Sequence, residues 1–490
     1  MHNSTDLTDK ELAAMWKAID WKQAERTVSN LQARIARAAL EKRWKDVRKL
    51  TRLLTRSYHA KLLAVRQVTT SKGKNTPGAD GIVWRTQAAK MRGALNMDDK
   101  GYRAMPLLRT YIPKKNGKLR PLSIPTIRDR AMQALYALAL SPVESATGDL
   151  SSFGFRKYRS SKDAYTYLFI CLSGENSAQW VLEADIKSCF DMISHSWLLA
   201  HIPMKPNILK QFLKAGFLEG DRMFPSKSGT PQGGVLSPVL ANMTLNGLEN
   251  ILGKIFYSNK KGVITKKCNR HKVNIARYAD DIVISADSYE TAEEIKHILK
   301  EFLEERGLEL SEEKTRITHI NDGFTFLGWE FRKYNGKLII KPSKESVKTC
   351  IEKIHDILRK GRSWTQDAII AAINPIIRGW CNYHNHACAS KTFSRMDHVI
   401  FMMIYSWVKR KHKGESRRVT VDKYWHRKGS RKWVFSTSTQ ELLSFSKTKI
   451  IRHRMAKRDK NPFLDVYYFE KRRKEMRRNK SFIPAAAHVG

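Results

Sequence analysis

The stretch Val273–Ser285 reads Val-Asn-Ile-Ala-Arg-Tyr-Ala-Asp-Asp-Ile-Val-Ile-Ser. Two short β-type runs flank the segment Tyr278-Ala279-Asp280-Asp281, which predicts a β-hairpin with two adjacent carboxylates at its tip. Two neighbouring carboxylates repel each other and need water or a cation. Hard oxygen ligands of this kind suit Mg²⁺, although Asp is also common in ordinary solvated turns.

A second acidic position favours the metal interpretation. The largely apolar run Trp180–Asp185 predicts a strand that ends in a carboxylate, and Asp280 and Asp281 follow 95 and 96 residues later. That separation leaves room for helices between the two strands before the chain returns to the same sheet. Three carboxylates on adjacent strand ends can hold two Mg²⁺ ions, an arrangement that serves phosphoryl or nucleotidyl transfer.

The charge balance points to a polyanionic partner. The 490 residues include 90 Lys and Arg against 47 Asp and Glu, a formal net charge of +43. A charge of this size favours nucleic acid over a surface that is basic only for solubility. The length predicts about three domains. No run is apolar enough to span a membrane and no signal-peptide pattern is present, so we expect a location in the cytoplasm, in bacteria the cytosol or nucleoid.

The six cysteines form no CxxC pair, which predicts reduced thiols rather than disulfides or a zinc knuckle. One local group, Cys381 with His384, His386 and Cys388, invites a metal interpretation. We favour a packing role for this group, because no matching second pair of ligands appears.

Residues 1–68 are predicted to be helical. Val28 and Ile35 share an apolar face, while cations such as Arg48 and Arg52 lie between the apolar positions. Helices laid on a phosphate backbone and the solvated face of an ordinary helical hairpin both fit this pattern. The whole-chain charge favours the first.

Two loops in the middle of the chain carry candidate nucleotide contacts. Arg109–Leu122 alternates like a β-hairpin turning at Asn116-Gly117, and its Lys114 and Arg120 are suited to a triphosphate. The Gly/Pro-rich loop Gly229–Pro238 runs into an apolar helix predicted over 239–252, and its Gln232 offers both a donor and an acceptor.

The second half of the chain contributes strands, helices and a basic end. Phe324–Trp329 predicts a short apolar strand, and residues 340–410 predict three helices, the second broken near Pro375. From residue 410 onward, 24 Lys and Arg face 7 Asp and Glu and are interleaved with aromatic residues. That pattern is typical of nucleic-acid binding.

In order, these motifs resemble the reverse transcriptases of the group II intron maturase family, over about residues 15–470. Eight stretches carry the resemblance: Tyr58–Gly81, Tyr111–Leu122, Phe153–Arg159, Ala184–Asp191, Gly229–Pro238, Arg277–Asp281, Gly307–Thr315 and Phe326–Trp329. The resemblance implies an α+β right-hand polymerase. Its expected parts are a helical RNA-binding extension (1–68), fingers (69–165), a palm with the catalytic carboxylates (166–335), an α-helical thumb or maturase domain (336–412) and a basic DNA-binding region (413–490).

The resemblance also implies residue roles. Asp185, Asp280 and Asp281 are the expected catalytic metal ligands for two Mg²⁺ ions, with the backbone carbonyl of Ile186 beside them. Phe190 matches the aromatic residue that blocks a ribose 2′-hydroxyl, which favours deoxynucleotides. The expected dNTP-binding residues are Lys114, Arg120, Ile186, Phe190, Gln232 and Lys314. The expected nucleic-acid contacts are Arg48, Arg52, Arg156, Arg159, Arg427, Lys428, Arg431 and Lys432.

We therefore expect an RNA-directed DNA polymerase that binds group II intron RNA, assists its splicing and copies it into a DNA target during retrohoming. Two alternatives stay open: a related bacterial reverse transcriptase used in defence or repair, and a splicing chaperone without polymerase activity. Many relatives continue after Tyr467-Tyr468-Phe469 into an endonuclease domain with paired cysteines and histidines. No cysteine follows Cys388 here, so we expect no DNA-nicking activity and a primer from another source.

Overall fold

The computed structural model describes residues 7–113, 117, 119–412 and 414–478, and the chain divides into two compact units. The first unit comprises Met1–Ala164, Leu182–Ile317 and Ala456–Glu470. The second comprises Tyr165–Val181, Thr318–Met455 and Lys471–Gly490. The five predicted domain boundaries stay predictions, but the chain after residue 413 is not one body, because residues 456–470 belong to the first unit.

The predicted helical front is confirmed. The chain opens with α1 (Asp9–Lys17), α2 (Trp21–Leu40), α3 (Trp44–Arg56) and α4 (Tyr58–Thr70). Val28 and Ile35 of α2 are buried, as the spacing of apolar positions requires for a helix that packs on one face. Thr8 and Glu11 form a capping box that fixes the start of α1.

The middle of the chain builds a hairpin-containing sheet and its supporting helices. In order these are α5 (Gln87–Leu95), β1 (Leu107–Pro113), β2 (Leu119–Ile124), α6 (Ile127–Thr147), α7 (Ser161–Leu172), β3 (Trp180–Asp185), α8 (Cys189–Met192), α9 (His195–His201), α10 (Pro206–Leu213), β4 (Phe217–Glu219) and β5 (Arg222–Phe224). The predicted hairpin is confirmed, since β1 and β2 pair antiparallel from Leu108↔Ile124 to Pro113↔Leu119. The predicted turn residue Asn116 lies outside the described residues. The sheet has the order β2-β1-β4-β5.

A second four-stranded sheet carries the acidic hairpin. The elements that complete it are α11 (Ser237–Leu245), α12 (Leu248–Phe256), β6 (Asn274–Tyr278), β7 (Asp281–Ala286), α13 (Tyr289–Glu304) and β8 (Arg316–His319), in the strand order β6-β7-β3-β8. The single helix predicted over 239–252 is wrong. Gly247 has a φ of 104°, which a right-handed helix cannot accommodate, so the helix ends and a second one begins.

The second unit contains the three predicted helices. Its remaining elements, with the last helix shared between the units, are β9 (Phe324–Phe326), β10 (Trp329–Tyr334), β11 (Lys337–Pro342), α14 (Lys344–Lys360), α15 (Gln366–His384), α16 (Ser390–Lys411), α17 (Arg417–Tyr424), β12 (Trp425–Lys428), β13 (Arg431–Phe435) and α18 (Val466–Arg478). Two expectations are corrected. Pro375 does not break α15, and Leu327 and Gly328, with φ values of 49° and 81°, divide the predicted strand Phe324–Trp329 into two paired strands.

The core of this unit is formed between α14, α15 and α16. Its fully buried members include Ile354, Ile373, Ile377 and Val408. Within α15, Ile373 and Ile377 are four residues apart, the spacing of positions that share one face of a helix. No helix in the described part of the chain has both the length and the apolarity that a membrane crossing needs.

We predict that Ile373→Ala destabilises the second unit by about 3 kcal/mol, because it leaves a cavity in a close-packed core. Ile373 is fully buried, whereas Ile376 on the same helix is only partly buried. Ile376→Ala is therefore the matched control and should cost clearly less. Urea unfolding followed by circular dichroism measures both. Equal losses would contradict the assignment of Ile373 to the core.

Candidate active site

The predicted acidic hairpin is present. β6 and β7 pair in continuous register from Asn274↔Ser285 to Tyr278↔Asp281, with only Ala279 and Asp280 between the paired ends. Ala279 has a φ of 59°, a conformation that a non-glycine residue adopts at a cost and that closes this tight turn. The rest of β7, from Ile282 to Ala286, is buried. The two carboxylates are therefore fixed to the end of a well-packed strand.

Asp185 ends the strand beside β7. The antiparallel bridge between Ile186 and Leu310 and the hydrogen bond from Ser311 N to the Asp185 carbonyl, at 2.8 Å, hold this strand end in place. The negative charge of Asp185 raises the pKa of both Asp280 and Asp281. The structure thus brings together the three acids that the sequence predicted.

Burial and the charges of neighbouring acids raise the pKa of Asp280 and of Asp281. Loss of surrounding water is the main cause that raises the pKa of Asp281 to about 6, and the charges of Asp280 and Asp185 add to it, although the residue keeps surface exposed to solvent. Burial also raises the pKa of Asp280, again with help from Asp185. In such surroundings the ionised form of a carboxyl group is destabilised, and a nearby cation stabilises it.

Lys314 provides one such positive charge. Its Nζ lies 2.8 Å from Asp185 Oδ2, and this hydrogen bond, aided by the charges of Asp281 and Asp280, raises the pKa of the lysine. The Lys314 side chain is 65% exposed. An ion pair of that exposure contributes at most about 1 kcal/mol, so it can exchange for another cation.

By their chemistry the three acids suit a hard divalent cation. Within residues 7–478, apart from the few positions that are not described, no three His, Cys, Asp or Glu side chains are placed to hold a metal ion. Because the Asp185 carboxylate is bonded to Lys314, a shared cation requires side-chain rotation at this strand end. The metal ligand set therefore remains a proposal.

The loop Gly229–Pro238 lies beside the acids. Gln232 donates from Nε2 to Asp191 Oδ2 at 2.7 Å, and its carbonyl accepts from Ser123 N of β2 at 2.8 Å. Gly229 has a φ of 78° and lies so close to Asp191 that a Cβ would be 2.5 Å from the backbone of that residue. Only glycine fits this position, and the loop is therefore fixed to both β2 and the chain that follows Asp185.

Two aromatic rings meet next to this loop. The Phe155 and Phe190 ring centroids are 6.3 Å apart at an angle of 79°, an edge-to-face arrangement that favours the pair. Phe155 is 56% exposed and has a φ of 59°. A Cβ on the preceding Gly154 would lie 2.3 Å from Ala279 N. The backbone before Phe155 is thus pressed against the acidic hairpin, a constraint that the sequence did not reveal.

Of the two predicted triphosphate contacts, Arg120 and Lys114, only Arg120 is among the residues that the structure describes. Arg120 is exposed at the start of β2, and its positive charge opposes the rise in the pKa of Asp280. Arg120 therefore acts electrostatically on the acidic hairpin. Lys114 lies outside the described residues.

Two arginines that we expected to contact nucleic acid have internal partners instead. The Arg156 side chain is 6% exposed, and its Nε lies 3.2 Å from Glu144 Oε1. Arg159 donates to four backbone carbonyls of residues 456–460, at 3.0 to 3.4 Å. Because both guanidinium groups are engaged inside the first unit, we withdraw them from the proposed nucleic-acid surface.

The other predicted nucleic-acid residues lie mainly on the surface. Two of these residues lie on α3 and four lie on the β12–β13 hairpin. Five of the six are exposed: Arg48, Arg52, Arg427, Lys428 and Lys432. Arg431 is partly buried, and its Nη2 lies 2.9 Å from both carboxylate oxygens of Glu441. The five exposed residues remain predictions, while Arg431 has an internal role in its hairpin.

The cysteine and histidine group in α15 has packing partners. Cys381 is fully buried in the core of the second unit. His384 Nε2 lies 2.9 Å from Ser346 Oγ, and the Trp380 ring lies 4.4 Å from the His384 ring. These contacts favour the packing role over the metal interpretation.

Arg277 is the important residue that the sequence analysis did not single out. It is 1% exposed, and its guanidinium donates to Asn242 Oδ1 at 3.1 Å and to Asn246 Oδ1 at 2.7 Å. Burial lowers the pKa of Arg277, and the charges of Asp149 and Glu144 oppose that effect. The available signal was a single charged residue inside the short strand β6.

The backbone of Arg277 is held as firmly as its side chain. Arg277 N donates to the Ser151 carbonyl at 3.0 Å, and the Arg277 carbonyl accepts from Phe153 N at 2.8 Å. Ser152 thereby forms a parallel bridge with Arg277 along β6. The acidic hairpin is thus secured three residues before Asp280.

Three family models match this chain. A family model for reverse transcriptase (RNA-dependent DNA polymerase) matches residues 112–331, one for the N-terminal domain of reverse transcriptase matches 16–97, and one for the group II intron maturase-specific domain matches 347–425. Protein YkfC of Escherichia coli is 32% identical over 337 residues, covering 61% of this chain and 87% of that protein.

Two further similarities concern an intron-encoded protein and a solved structure. The group II intron-encoded protein LtrA of Lactococcus lactis is 30% identical over 446 residues, covering 72% of this chain and 73% of LtrA. The structure of telomerase from Candida albicans, in complex with a telomeric RNA fragment, matches with a TM-score of 0.37 and 13% identity, over 67% of this chain and 65% of that one.

We predict that Arg277→Met lowers the unfolding free energy of the first unit by about 3 kcal/mol, because it removes the buried positive charge that acts on Asp149 and one of the two that act on Glu144. Arg270→Met, at an exposed position before β6, removes the same charge and should have little effect. Differential scanning calorimetry of both variants measures the change. A melting temperature of Arg277→Met equal to that of Arg270→Met would refute the stabilising role.

Proposed function

The chain belongs to the family of group II intron-encoded reverse transcriptases and maturases, and from this premise we propose that Asp185, Asp280 and Asp281 carry its DNA synthesis. The family makes the chain an RNA-directed DNA polymerase with a role in intron splicing. The observation that carries the proposal is the environment of Asp281, where burial, with help from the charges of Asp280 and Asp185, raises the pKa to about 6. Such a group of acids is suited to bind cations.

We propose two Mg²⁺ ions as the cofactor, held by the three aspartates and the Ile186 carbonyl. When bound, they supply the positive charge that activates a primer hydroxyl and stabilises the leaving pyrophosphate. Lys314, once released from Asp185, stays protonated at neutral pH, because a lysine ammonium ordinarily titrates at about pH 10.4. It is then placed to offset negative charge that develops beside Asp185.

The proposed dNTP site extends from the acids to β2 and the Gly229–Pro238 loop. Arg120 is expected to bind the triphosphate through its bidentate fork, with Lys114 beside it by family resemblance. Gln232 is held between Asp191 and Ser123, which fixes its side chain next to the sugar. Phe190, supported by the Phe155 ring, is the proposed barrier to a ribose 2′-hydroxyl.

We propose structured intron RNA as the principal partner, with target DNA as a second. The exposed residues Arg48 and Arg52 supply charge for the RNA, which is recognised largely by backbone and shape. Arg427, Lys428 and Lys432 surround Trp433, which is 57% exposed and available to stack on a base. DNA nicking forms no part of this proposal.

The match to the maturase-specific domain and the similarity to LtrA favour the intron function over a role in defence or repair. Sequencing the RNA that co-purifies with the full-length protein tests this choice. Enrichment of a group II intron RNA supports it, whereas cellular RNA without intron sequences would favour the alternative.

We predict that Asp280→Asn with Asp281→Asn abolishes primer extension on an RNA template with Mg²⁺. The amides keep the size of the side chains but remove the charge that binds cations. Asp221→Asn, in the exposed turn between β4 and β5, is the control for the same chemical change and should retain activity. Equal synthesis by all proteins would refute the assigned site. If even the unchanged protein fails to extend a primer while it still supports splicing, the chaperone alternative gains.

We predict that Phe190→Ala lowers the preference for dNTPs over rNTPs by about tenfold or more, because a steric wall beside the sugar is lost. Phe155→Ala should lower it less, since Phe155 supports Phe190 from behind. Single-nucleotide extension with matched dNTP and rNTP gives the ratio of kcat/KM values. An unchanged ratio in Phe190→Ala would remove its assignment as the sugar barrier.

A further inference from the structure

The segment Ala456–Glu470 is packed within the first unit by the loop between α6 and α7 and by the first turn of α7. Arg159 donates to four of its carbonyls at 3.0 to 3.4 Å. Ala456 N donates to Asp163 Oδ1 at 2.9 Å. Phe469 is 1% exposed and stacks on Tyr158, with 5.0 Å between the ring centroids and an angle of 15°. A segment with these contacts is part of the packed unit.

Arg458 extends from this segment towards the acidic hairpin. Its Nη1 donates to Ser151 Oγ at 2.6 Å and lies 3.4 Å from Glu249 Oε1. Glu249 also accepts from Ser151 N and Ser151 Oγ, each at 2.9 Å. The Arg458 and Glu249 side chains are only 17% and 20% exposed. Water therefore screens this group much less than it screens a surface ion pair.

Ser151 connects this charged group to the catalytic strand. Its carbonyl accepts from Arg277 N at 3.0 Å, three residues before Asp280. Arg458, Ser151 and Arg277 thus form a continuous chain of hydrogen bonds from the C-terminal segment to β6. The backbone N, the side-chain Oγ and the carbonyl of Ser151 are all hydrogen-bonded, so its carbonyl is held in one direction.

We propose that residues 456–470 complete the polymerase site, and that Arg458 is a positioning residue that holds the Asp280 and Asp281 hairpin through Ser151 and Arg277. This inference rests on the proposed function of the two aspartates and deepens it. It assigns to these basic residues a role inside the polymerase unit, where the sequence had predicted a DNA-binding surface.

The test compares Arg458→Gln with Lys457→Gln in the full-length protein. Lys457 is the exposed neighbour in the same segment, so both variants lose one positive charge at nearly the same place. Hydrogen–deuterium exchange of peptides covering residues 274–286 reports on the hairpin without requiring activity. Primer extension on an RNA template gives kcat and the KM for dNTP.

We expect Arg458→Gln to speed amide exchange around Arg277 about tenfold and to lower kcat about tenfold, with the KM for dNTP unchanged. Lys457→Gln should change neither quantity. Arg159→Lys provides a second test of the same support. The lysine keeps the positive charge but cannot donate to all four carbonyls of residues 456–460. It should release residues 456–470 and loosen the hairpin in the same way, even if Arg458→Gln fails to fold.

Wild-type exchange of the hairpin in every folded variant of Arg458 and Arg159 overturns the proposal. A loosened hairpin with unchanged kcat in an active enzyme overturns it as well, because the hairpin would then not depend on this support for catalysis. If the unchanged protein synthesises no DNA, the proposed function fails, and the exchange measurement alone decides whether Arg458 holds the hairpin.

Discussion

Repulsion among Asp185, Asp280 and Asp281 is the constraint on which the rest of the site depends. Burial raises the pKa of Asp280 and Asp281, the charge of Asp185 adds to both shifts, and a backbone hydrogen bond at the hairpin tip offsets only part of the rise at Asp280. Further compensation comes from residues outside the hairpin. Lys314 is bonded to Asp185, and Arg120 acts on Asp280 from the neighbouring sheet. In the proposed function, cations and the dNTP would both be attracted by the negative charge of these acids.

Such a site needs a rigid support, because repelling groups move apart wherever the backbone allows it. Behind the hairpin the support is a buried polar network around Arg277, Glu144 and Asp149. Buried charges contribute little net stability when compared with apolar packing, but removing one partner is costly. A network of this kind therefore favours one arrangement of the strand over others. The fixed turn at Ala279 and the close approach of Gly154 serve the same purpose.

The sequence predicted the elements whose signals are local. The period-two runs around Asp280 and the strand that ends at Asp185 are where expected, as are the three helices of the second unit. The resemblance to a family supplied the order of the motifs. The helix break at Gly247 was missed, because a glycine is tolerated within many helices and only tertiary packing shows its positive φ.

Long-range partners account for the remaining errors. Arg156 and Arg159 were grouped as surface cations with their aromatic neighbours, yet their acceptors are a glutamate of α6 and carbonyls about 300 residues later. Nothing in a local pattern distinguishes a guanidinium that binds phosphate from one that binds protein carbonyls, because both uses draw on the same planar set of donors.

The internal arginines also change what the net charge of +43 means. Arg156, Arg159 and Arg277 satisfy buried carboxylates, amides and carbonyls of the polymerase unit, so they are not available to displace counterions from a nucleic acid. The salt dependence of binding follows the number of phosphates that are neutralised and not the formal charge of the chain. Affinity for RNA should therefore depend on exposed residues such as Arg48 and Lys432, while Arg156, Arg159 and Arg277 bind partners within the first unit.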